Sequence, residues 1–309
     1  MKPALPAPPV RLDRMRLDVA GVTAQIQPGS GVWPGVPAEA NLPASVLRRC
    51  HVVFDYPAGR MTVARPGLLE PRGVAIPCRV NPETGLFMIA ATADGETLHL
   101  GVDNGSAGTW VSDLLTRAWL ARHPDWPRST GAVGSANFFG FEFEPRGVLM
   151  RLPYLGLGAL RARDVALLGL DQDLFDWYSR KSAGPVAGFI GANALRGFRL
   201  EVDFPAGMTY WEPGPPPDAG DLDIVGLTLR PEADGGWSVA GVAERGGAPA
   251  VEGVRPGDRL IRVDRLGTAG ASMGEVVAVL RGDPGSRRAL LLEREGKRIA
   301  VEAKTIRFP

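Results

Sequence analysis

Residues 101–111 read Gly101-Val102-Asp103-Asn104-Gly105-Ser106-Ala107-Gly108-Thr109-Trp110-Val111, a single carboxylate between two apolar runs. The small residues after Asp103 permit a tight turn. A carboxylate in such a place can act as a general acid or base. It can equally do no more than brace the turn, because Asn104-Gly105 is itself a strong two-residue hairpin signal. Asp55 and Asp203 each stand one aromatic residue before a Pro-Ala-Gly turn and read as turn support. Metal and thiol chemistry have little footing. The three histidines (His51, His99, His123) lie far apart in sequence, and H-E-x-x-H is absent. Cys50 and Cys78 form no C-x-x-C pair and read as two lone buried thiols, with one disulfide as the alternative. No metal or cofactor is expected.

The elements that must position Asp103 are short strands. Gly and Pro together exceed a fifth of the 309 residues, which disfavours long helices. A repeat organises them. Residues 44–59 and 192–207 share seven of 16 positions at a constant offset of 148, and Met15-Arg16-Leu17 is echoed by Met150-Arg151-Leu152. About 80 residues (72–149) precede Met150, but only 14 precede Met15, so the first copy lacks the front half of the unit. Strands are expected at 73–80, 86–92 and 97–102. A helix follows, capped by Ser112, with Leu114, Leu115, Ala118 and Trp119 as its apolar face. Three consecutive prolines at 215–217 mark a linker.

The Asp103 segment resembles the retropepsin-like and pepsin-like aspartic proteases, whose motif is two apolar residues, Asp, Thr or Ser, then Gly. Val186-Ala187-Gly188-Phe189-Ile190-Gly191 resembles the segment that crosses beneath their catalytic turn. Residues 195–207 look like the closing helix and strand of bacterial relatives that carry a PDZ domain. Phe138 to Phe143 alternate like one arm of a flap. The resemblance implies that Asp103 is catalytic, with Asn104, Gly105 and Ser106 supporting its turn. It also implies peptide hydrolysis by a water held between two carboxylates that share a proton. Two departures stand out. One such motif is present, since neither Asp13 nor Asp18 is followed by Thr/Ser-Gly, and Asn104 replaces a hydroxyl that braces the two catalytic turns.

Residues 221–309 resemble a bacterial PDZ domain. Val225-Gly226-Leu227 has the form of its carboxylate-binding loop. Ala248-Pro249-Ala250 stands for a short helix, followed by Gly253-Val254-Arg255-Pro256-Gly257-Asp258. Ser272 to Glu275 form a capping box, and Gly282 suits the C′ position of the helix. The resemblance implies that peptide or protein C-termini add as a strand, with Met273, Val276, Val277 and Leu280 as pocket residues. The signatures of trypsin-like, intramembrane and tail-specific PDZ proteases are absent.

The expected architecture is mainly β. It comprises a partial, N-terminally incomplete aspartic-protease-like lobe (1–70), a fuller acid-protease β-barrel lobe (71–213), a Pro-rich linker (214–220) and a PDZ domain of β-rich α+β type (221–309). Two functions stay open: an aspartic endopeptidase, or a non-catalytic peptide-binding protein on a degenerate protease scaffold. A net charge of +1 gives no support to nucleic-acid or anionic-membrane binding. No apolar run approaches a membrane span, and Met1 to Pro9 has no signal-peptide core. The resemblance nevertheless favours a bacterial envelope location.

Overall fold

Turn-rich composition yields a mainly β chain. The computed structural model describes residues 43–135, 144–216, 218–232 and 234–309, with 5–6, 9–12, 15–17, 19 and 23–24 near the start. The expected flap arm at Phe138 to Phe143, and both Asp13 and Asp18, lie outside the described residues.

The repeat is visible as geometry. Helix α1 (Ala44–Leu47) leads into strand β1 (His51–Asp55), a turn, and β2 (Arg60–Ala64). Asp55 Oδ1 accepts the Ala58 N–H at 3.1 Å, and Gly59 takes φ +59°. After them β3 (Val74–Val80), β4 (Phe87–Ala93) and β5 (Glu96–Val102) form an antiparallel meander. Strand β6 (Thr109–Ser112) runs directly into α2 (Asp113–Arg122), where Ser112 Oγ caps the Leu114 N–H at 3.1 Å. The apolar face of α2 differs from expectation. Thr116 and Trp119 are buried, whereas Leu114 is 54% exposed and Ala118 is exposed. The sheet takes the stripe one position on, and Thr116 fits there because its hydroxyl donates to the Asp113 carbonyl.

Strands β7 (Arg128–Thr130) and β8 (Gly134–Ser135) precede the long hairpin of β9 (Val148–Leu157) and β10 (Leu160–Leu170). Helix α3 (Gln172–Ser179) and strand β11 (Gly188–Ile190) follow. The second repeat copy then supplies α4 (Ala192–Leu195), β12 (Phe198–Asp203) and β13 (Met208–Pro213). Its turn repeats the first: Asp203 Oδ1 accepts the Ala206 N–H at 3.1 Å and Gly207 takes φ +62°. Strands β1 and β12 pair antiparallel with Val53 opposite Glu201, which are repeat equivalents. A local twofold relation therefore passes between them, and the sheet there runs β3-β13-β12-β1-β2.

Burial of a charge at that seam is compensated. Glu201 is fully buried. It bonds His51 Nε2 at 2.8 Å, accepts the Arg72 N–H at 3.0 Å, and pairs with the Arg199 guanidinium. Cys50 and Cys78 are free, buried thiols. Burial, and then the nearby Asp203 charge, pushes Cys78 up to about 12.

The C-terminal unit holds β14 (Leu227–Pro231), β15 (Trp237–Val242), β16 (Glu244–Arg245), β17 (Arg259–Val263), α5 (Met273–Leu280), β18 (Arg287–Arg294) and β19 (Lys297–Lys304). Its sheet order is β8-β14-β15-β17-β18-β19, so one strand is donated by the preceding unit. The Ser272–Glu275 capping box is present. Glu295 and Gly296, at φ +50° and +75°, make the two-residue turn between β18 and β19. Two expectations fail. Ala248–Pro249 form a bridge to β16 instead of a helix. Gly282 is not left-handed: Arg281 already leaves the helix in an extended conformation, and the Arg288 side chain crosses close over Gly282.

Candidate functional site

Asp103 stands where β5 ends, and β6 departs after the turn. The two strands are not paired to each other. Strand β11 lies between them, parallel to β5 and antiparallel to β6. Asn104-Gly105 therefore makes no hairpin, and neither residue takes a positive φ. The turn is held from within and from beneath. Gly105 N–H donates to Asp103 Oδ1 at 3.0 Å, and Ser106 Oγ donates to the Gly108 carbonyl at 2.8 Å. Asp103 N–H donates to the Ile190 carbonyl at 3.0 Å, and Ala192 N–H to the Ser106 carbonyl at 2.8 Å. A Cβ at Gly191 would land on the Gly108 carbonyl and one at Gly188 on the Trp110 carbonyl, so the crossing approach requires glycine at both.

Asp103 is partly buried, Asn104 and Gly105 are exposed, and Ser106 is buried. Burial raises the Asp103 pKa, opposed by the Gly105 and Ser106 N–H groups. A shared-proton partner would add a second carboxylate to these influences, and none of the described residues supplies one.

Several residues around this turn were not singled out from sequence. Thr109 Oγ1 accepts the Gly191 N–H at 3.1 Å and donates to Asn193 Oδ1 at 2.8 Å. Asn193 Nδ2 in turn donates to the Ala166 carbonyl at 2.6 Å. A hydroxyl thus braces the turn, six residues beyond Asp103 instead of one. Tyr56 and Tyr178 are raised by burial and then by the Asp103 charge. The Tyr56 hydroxyl is buried without a hydrogen-bond partner among the described residues. The signal available for Tyr56 was the repeat, which equates it with Phe204. A cavity of ≈ 220 Å³ beside Asn104 is lined by Phe54, Tyr56, Leu86, Phe87 and Phe204.

In the C-terminal unit, Val225 and Leu227 are fully buried. Val225 N–H donates to the Leu280 carbonyl at 3.1 Å, and Leu227 N–H to the Val225 carbonyl at 2.7 Å. Two of the three loop N–H groups are therefore engaged within the unit. A Cβ on Gly226 would strike Ala250 and Phe308, so packing alone accounts for that glycine. Val276 and Leu280 are core residues, while Met273 and Val277 are partly exposed and pack against that core. Asp258 is buried, accepts the Arg255 N–H at 2.8 Å and binds Arg294 through both oxygens at 2.7 Å. Among the described residues no group of three His, Cys, Asp or Glu is placed to hold a metal ion, and no helix is long and apolar enough to cross a membrane.

No protein-family model matches the chain, and no curated protein matches it. Among solved structures the chain is similar to a retropepsin-like aspartic protease from Rickettsia conorii, with 13% identity and a TM-score of 0.30 over 46% of this chain and 96% of that one. It is also similar to an HtrA-type protease solved with a decapeptide, with 13% identity and a TM-score of 0.24 over 84% of this chain and 59% of that one.

Proposed function

We propose that this protein is an aspartic-endopeptidase-like protein acting on extended polypeptide, with Asp103 as its acid–base group and the C-terminal unit as a PDZ-type peptide-binding domain. The observation that carries the reading is the seat of Asp103: a partly buried carboxylate on a turn between two unpaired strands, bonded from below by the strand that crosses between them. Burial keeps its proton to a higher pH than on a free Asp, which suits a group that must both donate and accept a proton. Water attack on a peptide carbonyl needs a base and an acid together, which a shared-proton carboxylate pair supplies. Asp103 is one half of such a pair, and cleavage needs a second carboxylate brought to it.

A second reading, a non-catalytic peptide-binding protein, is favoured by a specific observation: among the described residues, burial and the Gly105 and Ser106 N–H groups act on the acidity of Asp103, with no second carboxylate beside them. A peptide-library digest over roughly pH 3 to 7 decides between them. Cleavage by monomer fractions that Asp103→Asn abolishes establishes the endopeptidase. No cleavage, with peptide binding retained, establishes the binding protein.

A further inference from the structure

Strand addition needs a free sheet edge. On the peptide-binding reading that edge is β14, the strand that follows Val225-Gly226. The edge is taken by the chain itself. Strand β8 lies along β14 in parallel, with Gly134 opposite Thr228 and Ser135 opposite Leu229. The Thr228 hydroxyl donates to the Ala132 carbonyl, and β8 contacts α5 on its other flank. Val133 packs against the C-terminal core, as do Met273 and Val277. Backbone pairing, an acceptor at the loop end of the groove, and an apolar side chain against the core are all supplied by residues 132–135.

The segment is anchored in the other unit. Gly131 N–H donates to the Gly147 carbonyl at 2.7 Å, and Ala132 N–H to the Glu144 carbonyl at 3.1 Å. Gly131 and Gly134, at φ +87° and +83°, bend the chain on either side of Ala132-Val133. A peptide with its terminal carboxylate at Val225–Leu227 would lie at the start of β14 and so run antiparallel to it. Residues 132–135 run parallel. The two arrangements cannot share one edge.

We propose that residues 132–135 are the resident occupant of the C-terminal peptide groove, a self-inhibitory latch that an incoming extended peptide displaces. This rests on reading that unit as a peptide-binding domain. The latch also joins the groove to the Asp103 turn. A cavity of ≈ 200 Å³ is walled by Ala132–Gly134, by Val277 and Arg281 beside the groove, and by Ala107–Thr109 just after Asp103. Displacing the latch removes one wall of the space behind that turn.

The test compares the full chain with Gly134→Pro, whose ring fixes φ near −65° and forbids the bend. Thr228→Val is the milder variant, removing only the hydroxyl that holds Ala132. Hydrogen exchange is followed at the β14 amides not bonded to β15. Binding is followed by anisotropy of a fluorescein-labelled decapeptide ending in valine, as free carboxylate and as carboxamide. The expected result is faster β14 exchange in Gly134→Pro together with peptide binding on the order of tenfold tighter, as removal of a competing closed state requires. Thr228→Val lies between and keeps the test valid if Gly134→Pro does not fold. Faster exchange with unchanged, measurable affinity overturns the latch, because the segment then does not compete. Slow β14 exchange in every chain that binds peptide equally well also overturns it. Absence of peptide binding in all chains, despite released β14 amides, removes the peptide-binding reading itself and the competition with it.

Discussion

Asp103 is the proposed acid–base group, and its environment has a sign that can be measured. Burial raises its pKa above that of the unfolded chain, so between the two values the folded protein binds more protons. Stability contributed at low pH is lost as pH rises through that window. Asp103→Asn is therefore expected to raise the melting temperature at neutral pH and to leave it nearly unchanged at about pH 3, below the ordinary carboxylate range. A variant that destabilises more at neutral pH than at about pH 3 would show that the Gly105 and Ser106 N–H groups outweigh burial. The bracing hydroxyl is a second residue-scale test. Thr109→Val removes the acceptor for Gly191 N–H and the donor to Asn193. It is expected to cost about 1–3 kcal/mol in urea unfolding, because a buried N–H is left unsatisfied. The sequence singles out Asp103 because carboxylate, turn and crossing segment are each local strings. It does not mark Thr109, Asn193 and Tyr56, because their roles exist only once distant strands meet.

At the scale of elements, the crossing of β11 beneath the turn has the narrowest tolerance. Gly191→Ala puts a methyl against the Gly108 carbonyl, backbone against backbone, with no flexible side chain to yield. A loss of about 1–3 kcal/mol is expected, the cost of overpacking a fixed site. Gly105→Ala, where an added Cβ meets only Asp103 Oδ1 at 3.3 Å and φ is not positive, should cost well under about 1 kcal/mol. Reversal of that order in denaturant titrations would mean that the turn, not the crossing, sets the geometry. The seam between β1 and β12 gives a larger effect. Glu201→Ala leaves His51 and Arg199 without their buried partner, and about 3–5 kcal/mol is expected. The repeat makes this seam legible, because the sequence carries two copies of one unit. It could not say that the copies would lie side by side, because register is decided by which faces are buried. Helix α2 misled for a related reason. Its apolar residues occupy a broad arc, and only the sheet beneath selects Thr116 and Trp119 over Leu114.

At the scale of the whole molecule, the Pro-rich stretch suggested two separable bodies, yet the contacts cross it. Gly214 N–H donates to the Gly197 carbonyl at 2.7 Å, and Arg281 bonds Asp218 and the Gly220 carbonyl, both at 2.9 Å, so the connecting chain is tied at each end. Strand β7 meets β16 at Thr130 and Glu244, and β8 extends the C-terminal sheet. Nothing in the local sequence marks Leu149 as different from its neighbours on β9. It is 6% exposed, and its side chain belongs to the core formed by Val225, Leu229, Val276 and Leu292. Its removal therefore tests whether the two units fold as one. Leu149→Ala opens a cavity in the C-terminal core and removes a contact contributed from the Asp103 unit, at an expected cost of about 2–5 kcal/mol. If the shared core couples the units, calorimetry of the unaltered chain gives one transition, and the variant gives two, the lower belonging to the C-terminal unit. Limited proteolysis of the variant should then cut first between 214 and 220, where the released connection becomes accessible. Two transitions already present in the unaltered chain, with Leu149→Ala shifting neither by more than about 1 °C, would mean that the contact is passive. Displacement of residues 132–135 could then not be felt at Asp103 through that core.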